Sequence, residues 1–176
     1  MKRILTIMAF ALVANSCSRN AITGRTQLSL VSETDLQNMA QTQYRDFLSK
    51  NRVVTSGSDV DMVKRVGTRI AVAVKQYYRD HGSATALDNY NWEFNLVDNK
   101  QVNAWCMPGG KVVVYTGILP VTQTESALAI VLGHEITHAV LSHGKERMSQ
   151  ELAAQGLGAI GGAALGSNTQ AANVFN

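Results

Sequence analysis

The sequence predicts an α+β domain, and three observations predict it. Two stretches, 32–51 and 59–82, space their apolar residues as helices do. Between Tyr90 and Thr116 the period drops to two, the mark of half-buried strands. From Leu119 onward the helical spacing returns, around the stretch "VLGHEITHAVLSHG". At 176 residues the chain has room for one core.

The first element is a signal segment, residues 1–16. Lys2 and Arg3 form its charged end and Ile4 to Ala14 its apolar run. That run is too short to span a bilayer, which takes about 20 apolar residues. "ANSC" then resembles a bacterial lipobox, with Ala14 where Leu is preferred and Asn15 bulkier than usual. Cys17 is therefore expected to carry lipid and anchor the mature protein to a membrane, facing the periplasm. Ser18 in place of an aspartate points to the outer membrane. The alternative is an ordinary secretory signal cut near Ala14, with Cys17 a free or disulfide-forming thiol. Residues 17–31, polar and Gly-containing, read as a tether.

The two helices come next. The first carries Leu36, Met39, Tyr44, Phe47 and Leu48. The second sets Val60, Val63, Val66, Ile70, Val74 and Tyr77 on one face and stops at Gly82, with His81 as a terminal residue facing the helix dipole. Three strands follow: "YNWEFNLV", then "VNAWCM" and "KVVVYTG" flanking "PGG" as a hairpin. The sheet is expected to be small and mostly antiparallel. Cys106, within "VNAWCMPGG", reads as a packed strand residue, since buried cysteine behaves as a small hydrophobe.

The last long element, "LPVTQTESALAIVLGHEITHAVLSHGKERMSQELAAQ", reads as one helix, with Thr122 and Glu125 as the capping box at its start. The Gly/Ala-rich end after Gln155 is too short in its apolar part for a membrane span.

This last helix carries the chemistry. His134 and His138 lie one turn apart on nearly one face, where both imidazoles can reach the same cation. Glu135 sits about 100 degrees round, beside such a metal without being a ligand, and within reach of a water on it, as a general base. Composition alone produces His-Glu-x-x-His at a chance of roughly 0.003 in a chain of this make-up. His143, about 140 degrees round from His138 on a continuous helix, falls off the metal face and reads as a structural or surface group, with a supporting role behind a metal ligand as the alternative. The metzincin pattern is excluded, because its Gly and third His positions hold Leu141 and Gly144.

The stretches "NAITGRTQLSLVSE", "VNAWCMPGGKVVVYTGIL" and "ESALAIVLGHEITHAVLSHGKER" together resemble the family-48 metallopeptidases, gluzincins that include the membrane protease HtpX and the CAAX prenyl endopeptidases. The resemblance is closest to their periplasmic lipoprotein branch. It implies a zincin-like fold over residues 32–176. It also implies zinc held by His134 and His138, Glu135 as base, and cleavage of unfolded or misassembled envelope proteins. Asn103, Ala104 and Trp105 would belong to the strand to which a peptide substrate adds.

The chain departs from that family at the third zinc ligand, a glutamate on a later helix. After Glu151 there is no Asp, Glu, His or Cys. On one continuous helix Glu146 and Glu151 lie about 12 and 20 Å beyond His138, out of reach unless the helix breaks, for which Gly144 is the only cue. Truncation of the domain at its C-terminal side is the expected cause; a degenerate homologue and a ligand from another chain are the alternatives. A non-catalytic envelope lipoprotein that binds protein segments is the competing function, and a structural metal site lacks candidates for four ligands. The formal charge of +3 falls to +1 once Lys2 and Arg3 are set aside, which argues against a nucleic-acid partner.

Overall fold

The computed structural model describes residues 17–20 and 22–161. The expected signal segment and the end of the chain from 162 lie outside the described residues.

Strands β1 (Cys17–Arg19) and β2 (Thr26–Leu28) pair antiparallel, with Ser18 opposite Gln27. Asn20 makes their turn: its Oδ1 accepts the backbone N–H groups of Ile22 and Thr23, both at 3.0 Å. A short amide acceptor inside a turn does this where the chain must reverse. The segment expected to be a tether is thus a folded hairpin, and its side chains reach 114 to 121 residues along the chain, as described below.

Helix α1 (Glu33–Lys50) starts at Ser32, whose Oγ accepts the Asp35 N–H at 3.1 Å, and it buries Leu36, Ala40 and Tyr44 at four-residue intervals. Strand β3 (Val53–Val54) is followed by α2 (Ser58–Asp80), which buries Val60, Val63, Val66, Ala71 and Tyr78. Tyr77, expected on this face, is instead 49% exposed and stacks on His81 with ring centroids 4.0 Å apart. The buried ring is Tyr78, because the last turn needs a hydroxyl at the core, as the site makes clear.

Strands β4 (Glu93–Val97), β5 (Ala104–Met107) and β6 (Lys111–Tyr115) join β3 in a four-stranded sheet of order β3-β4-β6-β5. The predicted hairpin is β5–β6. Its turn holds Gly109 and Gly110 at φ 81° and 83°, a backbone that glycine adopts without penalty. Three strands were expected; β3 adds a fourth, and the central β4–β6 pairing is parallel, while β3–β4 and β5–β6 are antiparallel.

Every residue of β6 is buried, because the sheet is covered on both sides. Val113 and Tyr115 face α1 with Trp105, Met107 and Val97, packed on Ala40 and Tyr44. Val112 and Val114 face the other way, into a larger cluster with Val60 and Val63 of α2 and Leu128, Leu132 and Ile136 of the next long helix. Gly67 lets α2 lie close on the sheet: a β-carbon there would overlap the Phe94 ring.

After a 3-10 turn (Thr116–Ile118) and the short α3 (Leu119–Thr122) come α4 (Glu125–Val140) and α5 (His143–Gly161). Two expectations change here. The cap of α4 is Thr124, whose Oγ1 accepts the Ala127 N–H at 3.2 Å; Thr122 belongs to α3, which Gln123 closes in a left-handed conformation at φ 57°. Glu125 consequently faces away from the cap and pairs with Arg65 of α2. The single long helix is two helices, broken at Leu141–Ser142 with Ser142 at φ 58°. Among the described residues no helix is long and apolar enough to cross a membrane.

Candidate active site

Helix α4 buries Leu128, Leu132, Ile136 and Ala139 against the sheet and the second helix. One step round the cylinder, His134 and His138 come out exposed, one turn apart. Their Nε2 atoms lie 3.0 Å apart, with ring planes at 81°. Two nitrogens each about 2.0–2.1 Å from one zinc ion sit at about this separation, so the pair fits a shared cation through Nε2. Among the described residues no group of three His, Cys, Asp or Glu is arranged to hold a metal.

Glu135, half-buried, lines the same cleft of about 560 Å³ as His138, beside Trp105, Cys106 and Pro108 of the β5–β6 hairpin. Burial pushes its carboxyl above the ordinary carboxylate range, against the opposing pull of His134 and His138. Cys106 faces this side of the sheet, and burial, with the nearby Glu135 charge, pushes its thiol well up. It is a packed residue rather than a nucleophile, since a thiol is reactive as thiolate.

Strand β5 forms the edge of the sheet beside α4, paired only with β6. Ala104 and Trp105 lie in it and Asn103 immediately precedes it. The Trp105 ring turns away from α4, edge-on to Phe47 and Tyr44 of α1 with centroids 5.1 and 6.3 Å apart. What β5 offers along the cleft is therefore its backbone and the Cys106 side chain.

His143 does not sit where a continuous helix would put it. The break at Leu141–Ser142 swings α5 round, and the His143 Nδ1 comes within 2.7 Å of the His138 Nδ1. Burial, His138 and Arg25 push the His143 imidazole below its ordinary value, with Glu146 opposing. Glu146, which the same break could have released toward the metal face, pairs instead with Arg25 of the turn after β1.

The break is held by side chains from four places in the sequence. The last carbonyls of a helix have no partner within it. Here the Tyr90 hydroxyl donates to the Ala139 carbonyl at 3.1 Å and the Tyr78 hydroxyl to that of Val140 at 2.8 Å. Asn20 Nδ2 and Gln27 Nε2 both donate to the Leu141 carbonyl, at 3.2 and 3.0 Å. Nothing in the local sequence signals these four caps. For the break itself the available cue is Ser142 ahead of Gly144, with Glu146 in the first turn of a new helix.

A His-Glu-x-x-His helix packed beside the edge strand of a small sheet is the arrangement of the metal-dependent peptidases. The chain belongs to Peptidase family M48, whose sequence pattern matches residues 64–176. Over 131 residues, 73% of this chain, it is 33% identical to the mitochondrial metalloendopeptidase OMA1 of Schizosaccharomyces pombe. It is 37% identical over 78 residues, 44% of the chain, to the OMA1 of Arabidopsis thaliana. It is also 40% identical over 60 residues, 34% of the chain, to the β-barrel assembly-enhancing protease of Yersinia pestis. It spans 36%, 16% and 12% of those proteins' own lengths, respectively. These relatives are M48 metallopeptidases, a metal-dependent family that typically uses zinc.

Proposed function

We propose that this chain is a zinc-dependent endopeptidase of the bacterial cell envelope that cleaves unfolded or misassembled proteins. The observation that carries the reading is the 3.0 Å approach of the His134 and His138 Nε2 atoms, with His138 and Glu135 lining one cleft. His134 and His138 would hold the zinc ion. Bound zinc supplies acidity to a water and polarises the scissile carbonyl. Glu135 takes the proton of the attacking water on its carboxylate, and its partial burial raises its basicity for that task. An extended peptide adds to β5 along Asn103, Ala104 and Trp105, held by main-chain hydrogen bonds. Recognition through backbone selects segments that are not already folded, which suits quality control. One relative is named for β-barrel assembly, and the envelope setting itself rests on the lipobox resemblance around Cys17. The anchor belongs to the same proposal: lipid on Cys17 and the outer membrane as the site of action.

The test is calorimetric zinc titration of the 176-residue chain, together with casein cleavage by a form of the protein that also carries the third zinc ligand. Zinc binding should vanish in His134→Ala and His138→Ala and persist in Glu135→Gln, while Glu135→Gln removes cleavage. Zinc taken up equally by both histidine variants would overturn the assignment. Cleavage unchanged in Glu135→Gln would overturn the base.

A further inference from the structure

A metal ligand must present a lone pair, and an imidazole can do so from either nitrogen. Which one is free depends on what the other nitrogen meets. In His138 the two nitrogens meet different things: Nε2 lies 3.0 Å from His134 Nε2, and Nδ1 lies 2.7 Å from His143 Nδ1. At 2.7 Å the two Nδ1 atoms share one proton, since two lone pairs or two N–H groups facing each other repel. If His143 were the donor, His138 would carry its own proton on Nε2, turned toward His134, and could not ligate there.

We propose that His143 is the positioning residue of the site: its Nδ1 accepts the Nδ1–H of His138 and so fixes the tautomer and ring angle that aim the His138 Nε2 at the metal. The inference rests on the metal site proposed above. Three features support it. His143 is half-buried, and its ring stands at 64° to that of His138 with centroids 4.9 Å apart, an edge approach that suits an in-plane N–H···N bond. Its place is set by the fold rather than by a ligand, because the left-handed Ser142 and the four capping side chains hold the break that brings it there. Finally, the Arg25–Glu146 ion pair joins the first turn of α5 to the hairpin and adds to the hold on that turn.

The experiment uses the 176-residue chain as wild type, His143→Ala and His143→Asn. Asparagine branches at Cγ, so its Oδ1 can stand where the histidine Nδ1 stands and accept the same proton. Zinc chloride titration should show His143→Ala binding about ten- to a hundredfold more weakly, the usual cost of losing a partner behind a metal ligand, with His143→Asn recovering most of the loss. Ring-nitrogen NMR of the metal-free wild type should show His138 protonated on Nδ1, and that preference should disappear in His143→Ala. Unchanged zinc affinity in His143→Ala, or His138 protonated on Nε2 in the wild type, overturns the proposal. If His143→Ala does not fold, by far-ultraviolet circular dichroism, the wild-type tautomer decides alone. If the wild type takes up no zinc, the metal reading falls and this proposal with it; zinc uptake with His138 protonated on Nε2 in the metal-free protein overturns this proposal alone.

Discussion

Cys106 illustrates how much a single residue's chemistry depends on the side of a strand it occupies. Its neighbours Trp105 and Met107 face α1, while Cys106 faces the two-helix layer, with its Sγ 3.6 Å from the Met107 carbonyl. Burial disfavours the thiolate, and the adjacent Glu135 charge adds to that. Iodoacetamide at pH 8 should therefore label Cys106 much more slowly in the folded protein than in urea, as read by mass spectrometry in a Cys17→Ser background. Equal labelling rates in the two states would show that the thiol is accessible and ionisable. The packed-cysteine reading came from the small-hydrophobe character of cysteine in a strand and the lack of a catalytic cysteine pattern around it; the acidic neighbour that reinforces it could not be foreseen, because Glu135 is 29 residues further along the chain.

At the scale of the element, the break between α4 and α5 governs the site. Ser142 is held at φ 58°, a conformation that costs a residue with a β-carbon about 1–2 kcal/mol and glycine almost nothing. Ser142→Gly should raise stability by about 1 kcal/mol and leave zinc affinity unchanged, whereas Ser142→Val should lower both, measured by urea unfolding and by titration. A stable, tight-binding Ser142→Val protein would mean that the chain does not need the left-handed turn. The sequence made α4 legible through its caps and its spacing, apart from a two-residue error in the cap. It did not make the break legible, because no proline or glycine stands at 141 or 142 and helical spacing runs straight across them. The forces that end α4 are the hydroxyls of Tyr78 and Tyr90 and the amides of Asn20 and Gln27, all remote in sequence. The same remoteness hid His143, whose 140 degrees on a continuous helix is a correct calculation for a helix that does not exist.

The molecule as a whole is a covered sheet, and its two sides can be read with one titration. Tyr44 lies in the α1 layer and Tyr78 in the opposite layer, 1% and 5% exposed. Burial pushes both phenols up to about 12, with the Asn95 hydrogen bond opposing at Tyr44. Below pH 10 both rings are protonated in folded and unfolded chains alike, and their burial costs nothing extra. Above it the unfolded chain sheds these protons while the folded one keeps them, so stability falls as pH rises from 10 to about 12. The loss is about 2–3 kcal/mol per ring by the end of that window. Urea midpoints between pH 8 and 12 should fall steeply beyond pH 10, and less so in Tyr44→Phe and Tyr78→Phe relative to each variant's own value at pH 8. Midpoints flat through pH 12 would contradict the burial of these hydroxyls. The strands were legible from their spacing, but they were expected to be half-buried, and the cover on both faces that buries all of "KVVVY" was not foreseen. Nor was the parallel pairing of β4 with β6, because strand order depends on how distant segments meet.

The hairpin that grips the Leu141 carbonyl has a consequence for how the protein is made. Asn20 and Gln27 are joined to their acceptor across 121 and 114 residues, close to the full span of the described chain. Synthesis proceeds from the N-terminus at about 5–20 residues per second, so roughly 6 to 24 seconds separate the emergence of the hairpin from that of its acceptor. During that interval the sheet and α2 can assemble, but the histidines cannot yet be aligned. The first strands described are the last to find their seat, and the candidate site is not complete until that hairpin has folded back to meet it.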